Sequence, residues 1–85
     1  MVDKQGKSYR LIVTYNGFDE EKDEEITKAA RKTPSQTGYD PVETRRTIDW
    51  TFRSRKAAGN TRTRIVVLQR NTGGFSVSKV IDDSY

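Results

Sequence analysis

Apolar and polar positions repeat with a period of two in several stretches of the chain and with a period near 3.6 in one, and these changes of period mark its elements. In Tyr9-Arg10-Leu11-Ile12-Val13-Thr14-Tyr15, Leu11 and Val13 alternate against Arg10 and Thr14, and Asn16-Gly17 ends the run, which predicts a first strand. Asp19 then has the chemistry of an N-cap, with Glu20, Glu21 and Asp23 near the positive end of a helix dipole and Lys28, Arg31 and Lys32 near its negative end. A helix over about 19–32 follows, with Phe18, Ile26, Ala29 and Ala30 on one side. So narrow an apolar stripe needs a sheet face to lie on.

From Thr33 to Thr44 the chain carries Pro34, Gly38 and Pro41 with only Tyr39 and Val42 as sizeable apolar groups, which predicts a long loop over 33–44. Alternation returns over Thr47–Arg53, where Ile48, Trp50 and Phe52 share one face and Thr47, Asp49, Thr51 and Arg53 the other, together with Arg10 and Thr14 of the first strand. Arg55-Lys56-Ala57-Ala58 has some helical character, but Gly59, Asn60, Thr61 and Thr63 are poor helix formers, so a flexible hairpin tip over Ala57–Thr61 is expected instead. Arg64–Gln69 then reads as a strand, Asn71–Gly74 as a tight turn and Phe75–Ile81 as a returning strand.

The pattern therefore predicts an α+β fold of order β-α-β-β-β, one helix packed on a small antiparallel sheet, within a single domain over residues 1–85. A short strand around Tyr39 would turn it toward a ferredoxin-like βαββαβ order. Residues 1–7 and 83–85 are expected to be flexible tails.

Composition narrows the chemistry. A domain of 85 residues buries only about 60 to 65% of its unfolded surface, which leaves room for one site. Cysteine and histidine are absent, excluding disulfides, thiolate nucleophiles, Cys/His zinc sites and imidazole acid–base chemistry. The longest apolar run, Ile65–Leu68, is far too short to span a bilayer, and Met1–Ser8 lacks the apolar stretch of a signal peptide, so a cytoplasmic protein with no membrane partner is expected. Net charge is +4, but residues 1–43 carry 7 basic and 9 acidic side chains and residues 44–85 carry 9 and 3, so the halves stand at −2 and +6. Such asymmetry points to an electrostatic partner surface.

Arg53, Arg55, Lys56, Arg62 and Arg64 fall within 12 residues with no intervening acid, and Arg45 and Arg46 lie nearby. On an Arg-rich hairpin these side chains would grip the backbone of DNA or RNA through bidentate phosphate contacts. The plainer reading is that they solubilise an exposed hairpin and keep its edge from pairing. Trp50 and Phe52 share a face with Ile48 and are assigned to the core rather than to base stacking.

The run Asp19–Glu25 holds six acids and one lysine, and reads either as a solvated helix start or as a face for a basic partner. In the second case the protein would be a regulator or inhibitor of the small accessory kind that phage and plasmid genomes encode. Its partner would dock on Asp19, Glu20, Glu21 and Glu24, on Tyr39 in the 33–44 loop, or by strand addition at a sheet edge, through which a homodimer is equally conceivable. Asp40, Glu43 and Asp49 show no diagnostic catalytic spacing, and no phosphate-binding loop, dinucleotide fingerprint, nucleophile elbow or calcium loop is present. A non-enzymatic binding module without cofactor or metal is expected.

Overall fold

A computed structural model of the chain describes residues 6–84. Its elements are β1 (Tyr9–Asn16), α1 (Glu20–Ala30), β2 (Gln36–Asp40), β3 (Arg45–Phe52), α2 (Arg55–Thr72), β4 (Ser76–Val77) and β5 (Ile81–Asp82). The strands form one antiparallel sheet in the order β2-β3-β1-β4, with β5 also paired to β1. The α+β class, with helix packed on a small antiparallel sheet, is as the pattern predicts. The element order is that of the ferredoxin-like alternative, in which β3 lies between β1 and β2 and a second helix follows β3.

That second helix is the main correction. Residues 55–72 contain neither the hairpin tip at Ala57–Thr61 nor a strand at Arg64–Gln69, so the Arg-rich hairpin does not exist. Ser54 caps the helix by accepting from the Ala57 N–H at 3.2 Å, and Gly73 closes it with φ +67°. Ala58, Thr61 and Ile65 are buried and Leu68 packs beside them, a spacing of three and four residues. The threonines that argue against a helix are accommodated by local bonds, Thr63 Oγ1 donating to the Gly59 carbonyl at 3.0 Å and Thr61 Oγ1 accepting from Arg64 at 3.1 Å. Asn71 and Thr72 end the helix rather than forming a strand-to-strand turn.

Two further segments differ in detail. The expected 33–44 loop contains β2, followed by a turn in which the Asp40 carboxylate accepts from the Val42 and Glu43 N–H groups. The returning strand is split into β4 and β5, because Ser78 turns its hydroxyl into the ladder and accepts from the Ile12 N–H at 2.9 Å. Of the expected tails, residues 1–5 and 85 lie outside the described residues. Asp83 and Ser84 bond to Ser8, the Asp83 N–H donating to the Ser8 carbonyl at 2.8 Å.

Alternation along β1 and β3 does what the sequence implies. Tyr9, Leu11, Val13 and Tyr15 meet Ile48, Trp50 and Phe52 on the face beneath the helices, and Ile26, Ala30, Ala58, Ile65 and Phe75 complete the core. Trp50 is fully buried, and its indole N–H donates to the Lys32 carbonyl just beyond α1 at 2.9 Å, which satisfies the one polar atom of the core's largest side chain. No helix among the described residues is long and apolar enough to cross a membrane.

A polar hub fixes α1 against the sheet. The Asp23 carboxylate receives the Tyr15 hydroxyl on one oxygen and the Arg46 guanidinium on the other, through Nε at 2.9 Å and Nη2 at 2.6 Å. Arg46 also donates to the Gly38 carbonyl of β2 at 3.2 Å and lies over the Phe18 ring at 4.8 Å. Tyr15 accepts in turn from the Asp19 N–H, and its burial, followed by the bond to Asp23, raises its pKa above the ordinary tyrosine value.

Arg46→Ala is expected to lower unfolding free energy by about 2–3 kcal/mol in denaturant melts, because it leaves Asp23 without its charged donor. Arg46→Lys restores charge but not the planar fork and is expected to recover only part of the loss. Folded Tyr15 holds its proton more tightly than the unfolded chain does, so its contribution is complete below pH about 10 and is lost as pH rises through the tyrosine range. Tyr15→Phe is therefore expected to flatten the alkaline limb of stability against pH.

Candidate functional site

The seven cations singled out in the sequence separate into those bound within the fold and those without a partner in it. Arg46 is held in the hub, with 13% of its side chain exposed. Arg62 Nε donates to the Ser78 carbonyl at 2.8 Å, tying α2 to the strand that follows it. Arg64 donates to the Ala30 carbonyl at 3.0 Å and to the Thr61 hydroxyl at 3.1 Å. Arg55 pairs with Asp82 at 3.1 Å and stacks on the Tyr9 ring at 5.2 Å. Asp82 is held below the usual carboxylate range first by bonds from Ser84 and then by the Arg55 charge. Arg45, Arg53 and Lys56 are exposed, and among the described residues they make no ion pair or side-chain hydrogen bond.

These residues do not converge on one point. Arg45 begins β3 and Arg53 follows its end, so the two stand about 25 Å apart at opposite ends of the sheet. Arg53, Arg55 and Lys56 do gather, around the Ser54 cap of α2.

The helices run antiparallel and exchange cations at their ends. Arg64 of α2 donates to the last carbonyl of α1, and Lys22 of α1 reaches the Gly74 carbonyl just past α2 at 3.4 Å, each a cation at a negative dipole end. This arrangement brings the C-terminal end of α1 beside the N-terminal half of α2. Lys28, Arg31 and Arg64 line a groove of about 490 Å³ between the helices, with Ala29, Thr63 and Val67. Lys32 lies over the Phe52 ring at 5.3 Å, beside Arg53. The result is a basic pole made by both helices. Lys28, Arg31 and Lys32 were legible in the sequence only as dipole partners, since their meeting with α2 needs α2 to be a helix.

The opposite pole is acidic. Asp19 accepts from the Glu21 and Lys22 N–H groups as the N-cap of α1, and Glu20, Glu21 and Glu24 are exposed in its first turns. Tyr39 lies on β2 with its ring 5.8 Å from that of Phe18, which the sequence placed with the core and the structure leaves 57% exposed. Val42, in the turn after β2, is 89% exposed. Phe18 and Tyr39 adjoin where the Gly17 N–H donates to the Thr44 carbonyl at 2.6 Å, which joins the β1–α1 loop to the β2–β3 turn.

The outer face of the sheet is bare of helices and mainly polar, as the alternation predicts: Arg10, Thr14, Thr47, Asp49 and Thr51 lie on it with the aliphatic Ile12 and Ile81, and without an aromatic platform among the described residues. Arg10 donates to Asp49 Oδ2, a contact that raises the arginine's pKa. Asp49 Oδ1 accepts from no donor among the described residues and lines a recess of about 210 Å³ with Arg10, Gln36, Thr37, Gly38 and Thr47. Such a face offers hydrogen bonds but no stacking surface for bases.

No family model matches the chain, and no match is found among curated proteins or solved structures.

The division of the cations is open to test by stability. Arg64→Ala is expected to cost about 1–2 kcal/mol in urea melts, since it strips a donor from the Ala30 carbonyl and the Thr61 hydroxyl. Lys56→Ala is expected to stay within about 0.5 kcal/mol of the parent.

Proposed function

We propose that the protein is a small non-enzymatic binding module that holds the phosphate backbone of a nucleic acid on its basic pole. The observation that carries this reading is the segregation of charge. α2 bears Arg55, Lys56, Arg62, Arg64 and Arg70 without a single acid, and no carboxylate occurs in the sequence between Asp49 and Asp82. The antiparallel packing adds Lys28, Arg31 and Lys32 to the end that carries Arg55 and Lys56, while the acids of α1 lie at the other, beside the end of α2 that carries Arg70.

The contact residues are Lys28, Arg31, Arg53 and Lys56, exposed and without an ion pair or side-chain hydrogen bond among the described residues, with Arg55, exposed but paired to Asp82, and the half-buried Arg64 supporting them. Arg46 and Arg62 act as anchors of the fold in this scheme, and Arg45 stands apart. Cations already bonded to carbonyls or carboxylates add to the local potential but have fewer donors left for a phosphate. The lack of aromatic platforms on the sheet favours backbone contact over reading of bases, so affinity is set by charge and salt rather than by sequence.

Binding of fluorescent duplex and single-stranded oligonucleotides across a salt series is the direct test. Affinity is expected to fall linearly on a logarithmic plot, and the double substitution Arg53→Ala, Lys56→Ala is expected to reduce the slope by about 2. Arg45→Ala, remote from the pole, is expected to leave the slope unchanged. Absence of binding at low salt, or binding indifferent to salt, would overturn the reading.

A further inference from the structure

The two edges of the sheet are unequal. The β4/β5 edge is broken into two-residue pieces, whereas β2 is a continuous run of five residues, all exposed, paired to β3 alone. Alternate N–H and C=O groups of such an edge face away from the sheet and are ready to pair with another extended chain. The usual protections are missing from β2 itself: Gln36-Thr37-Gly38-Tyr39-Asp40 has no lysine, proline or bulge. Among the described residues, the one bond reaching its backbone from outside the ladder is that from Arg46 to the Gly38 carbonyl.

Helix coverage is missing there as well. Thr37 and Tyr39 pair with Ile48 and Arg46 and so lie on the face that the helices cover elsewhere, yet both are exposed because α1 stops short of β2. A groove of about 520 Å³ runs along α1, lined by Asp23, Glu24, Thr27 and Lys28. It lies on the flank that carries Asp23, which faces β2 through Arg46 and the Gly38 carbonyl. A strand added beside β2 would direct alternate side chains into this groove and against Phe18 and Tyr39.

We propose that β2 is an acceptor edge for an extended cationic segment of another protein, whose inward side chains seat between β2 and the acidic flank of α1. Charge selects this occupant. The exposed acids Glu20 and Glu24 on that flank, Asp40 at the end of β2 and Glu43 after it outnumber Lys28, at the far end of the groove, and Arg45, opposite Asp40 on β3, so basic side chains gain attraction and their aliphatic stems cover the exposed rings. A second copy of the chain fits worse. Antiparallel pairing of two β2 strands would set one acidic flank of α1 against another, a repulsion that a cationic partner avoids.

The probe is the peptide acetyl-(Lys-Val)3-Lys-amide, titrated into the full-length ¹⁵N-labelled protein at low salt. Shift changes are expected to be confined to Phe18, residues 23–28 and residues 36–40. Glu20→Lys with Glu24→Lys is expected to weaken binding by about tenfold. The same peptide N-methylated at alternate residues keeps its charge but cannot complete a ladder, and is expected not to bind. Equal binding of the methylated peptide, shifts centred away from β2, no shifts at millimolar peptide, or a dimer sealed through β2 in sedimentation would each overturn the proposal.

Discussion

The Asp23 carboxylate, shared between Tyr15 and Arg46, is the interaction on which the arrangement of this small protein turns. α1, β1 and β3 meet at that one group, and of the three it is α1 that has few apolar contacts to align it. α1 buries only Ile26 and Ala30, too little to fix its position along the sheet by packing alone. An arginine that donates twice to one carboxylate oxygen and a tyrosine hydroxyl that donates to the other have strict geometry, so they set the place of α1 on the sheet where the apolar stripe cannot. Arg46 extends the same hub to β2 by holding the Gly38 carbonyl, and it brings Phe18 into place beneath its guanidinium. The acidic run at the start of α1 thus serves the dipole, the cap and the sheet contact together.

Once α1 is fixed, the placement of charge follows. Two antiparallel helices on one face put the negative end of each dipole beside the other helix, and Arg64 and Lys22 answer those ends across the interface. The acids belong to the beginning of α1 and the lysines and arginine to its end, as a helix dipole favours. α2 departs from that rule, with Arg55 and Lys56 in its first turn and no acid there. Stability alone would prefer acids at those positions. Arg55 is answered there by Asp82 and the Tyr9 ring, whereas Lys56 works against the dipole with no ion pair or side-chain hydrogen bond among the described residues.

Much of this was legible in the sequence, and the part that was not has a definite cause. The strands through Leu11 and Trp50, the helix begun at Asp19 and the core role of Trp50 and Phe52 follow from alternation and capping, signals that are local. The second helix was hidden because its local signals conflict. Val66 and Val67 favour a strand, Gly59 and Asn60 favour a turn, and the cations at its start oppose the dipole, while the positive signal is the spaced set Ala58, Thr61, Ile65 and Leu68 with a threonine in an apolar place. Tertiary burial overrides propensity there. β2 was legible only as an alternative, the short strand around Tyr39, for the opposite reason, since an exposed strand needs no apolar alternation and is held only by its ladder to β3.

That error also bears on function, because a cation's meaning depends on the element that carries it. On a hairpin, Arg62 and Arg64 would have flanked a mobile tip with every donor available. On α2 they turn toward Ser78 and Ala30 and become ties between elements, as Arg46 does toward Asp23. A core of this size leaves carbonyls at helix and strand ends within reach of long side chains, and arginine, with five donors on a planar head, is suited to closing them. Counting basic residues therefore overstates the binding surface of a small domain. Of the exposed cations that make no ion pair or side-chain hydrogen bond among the described residues, Lys28, Arg31, Arg53 and Lys56 gather at one pole and Arg45 and Arg70 stand apart from it, while the open strand edge and the exposed rings of Phe18 and Tyr39 lie beside the acids of α1. The two surfaces differ in the sign of their charge and meet at Lys28, which lines a groove on each, so anions and cations are favoured at different places on a chain of 85 residues.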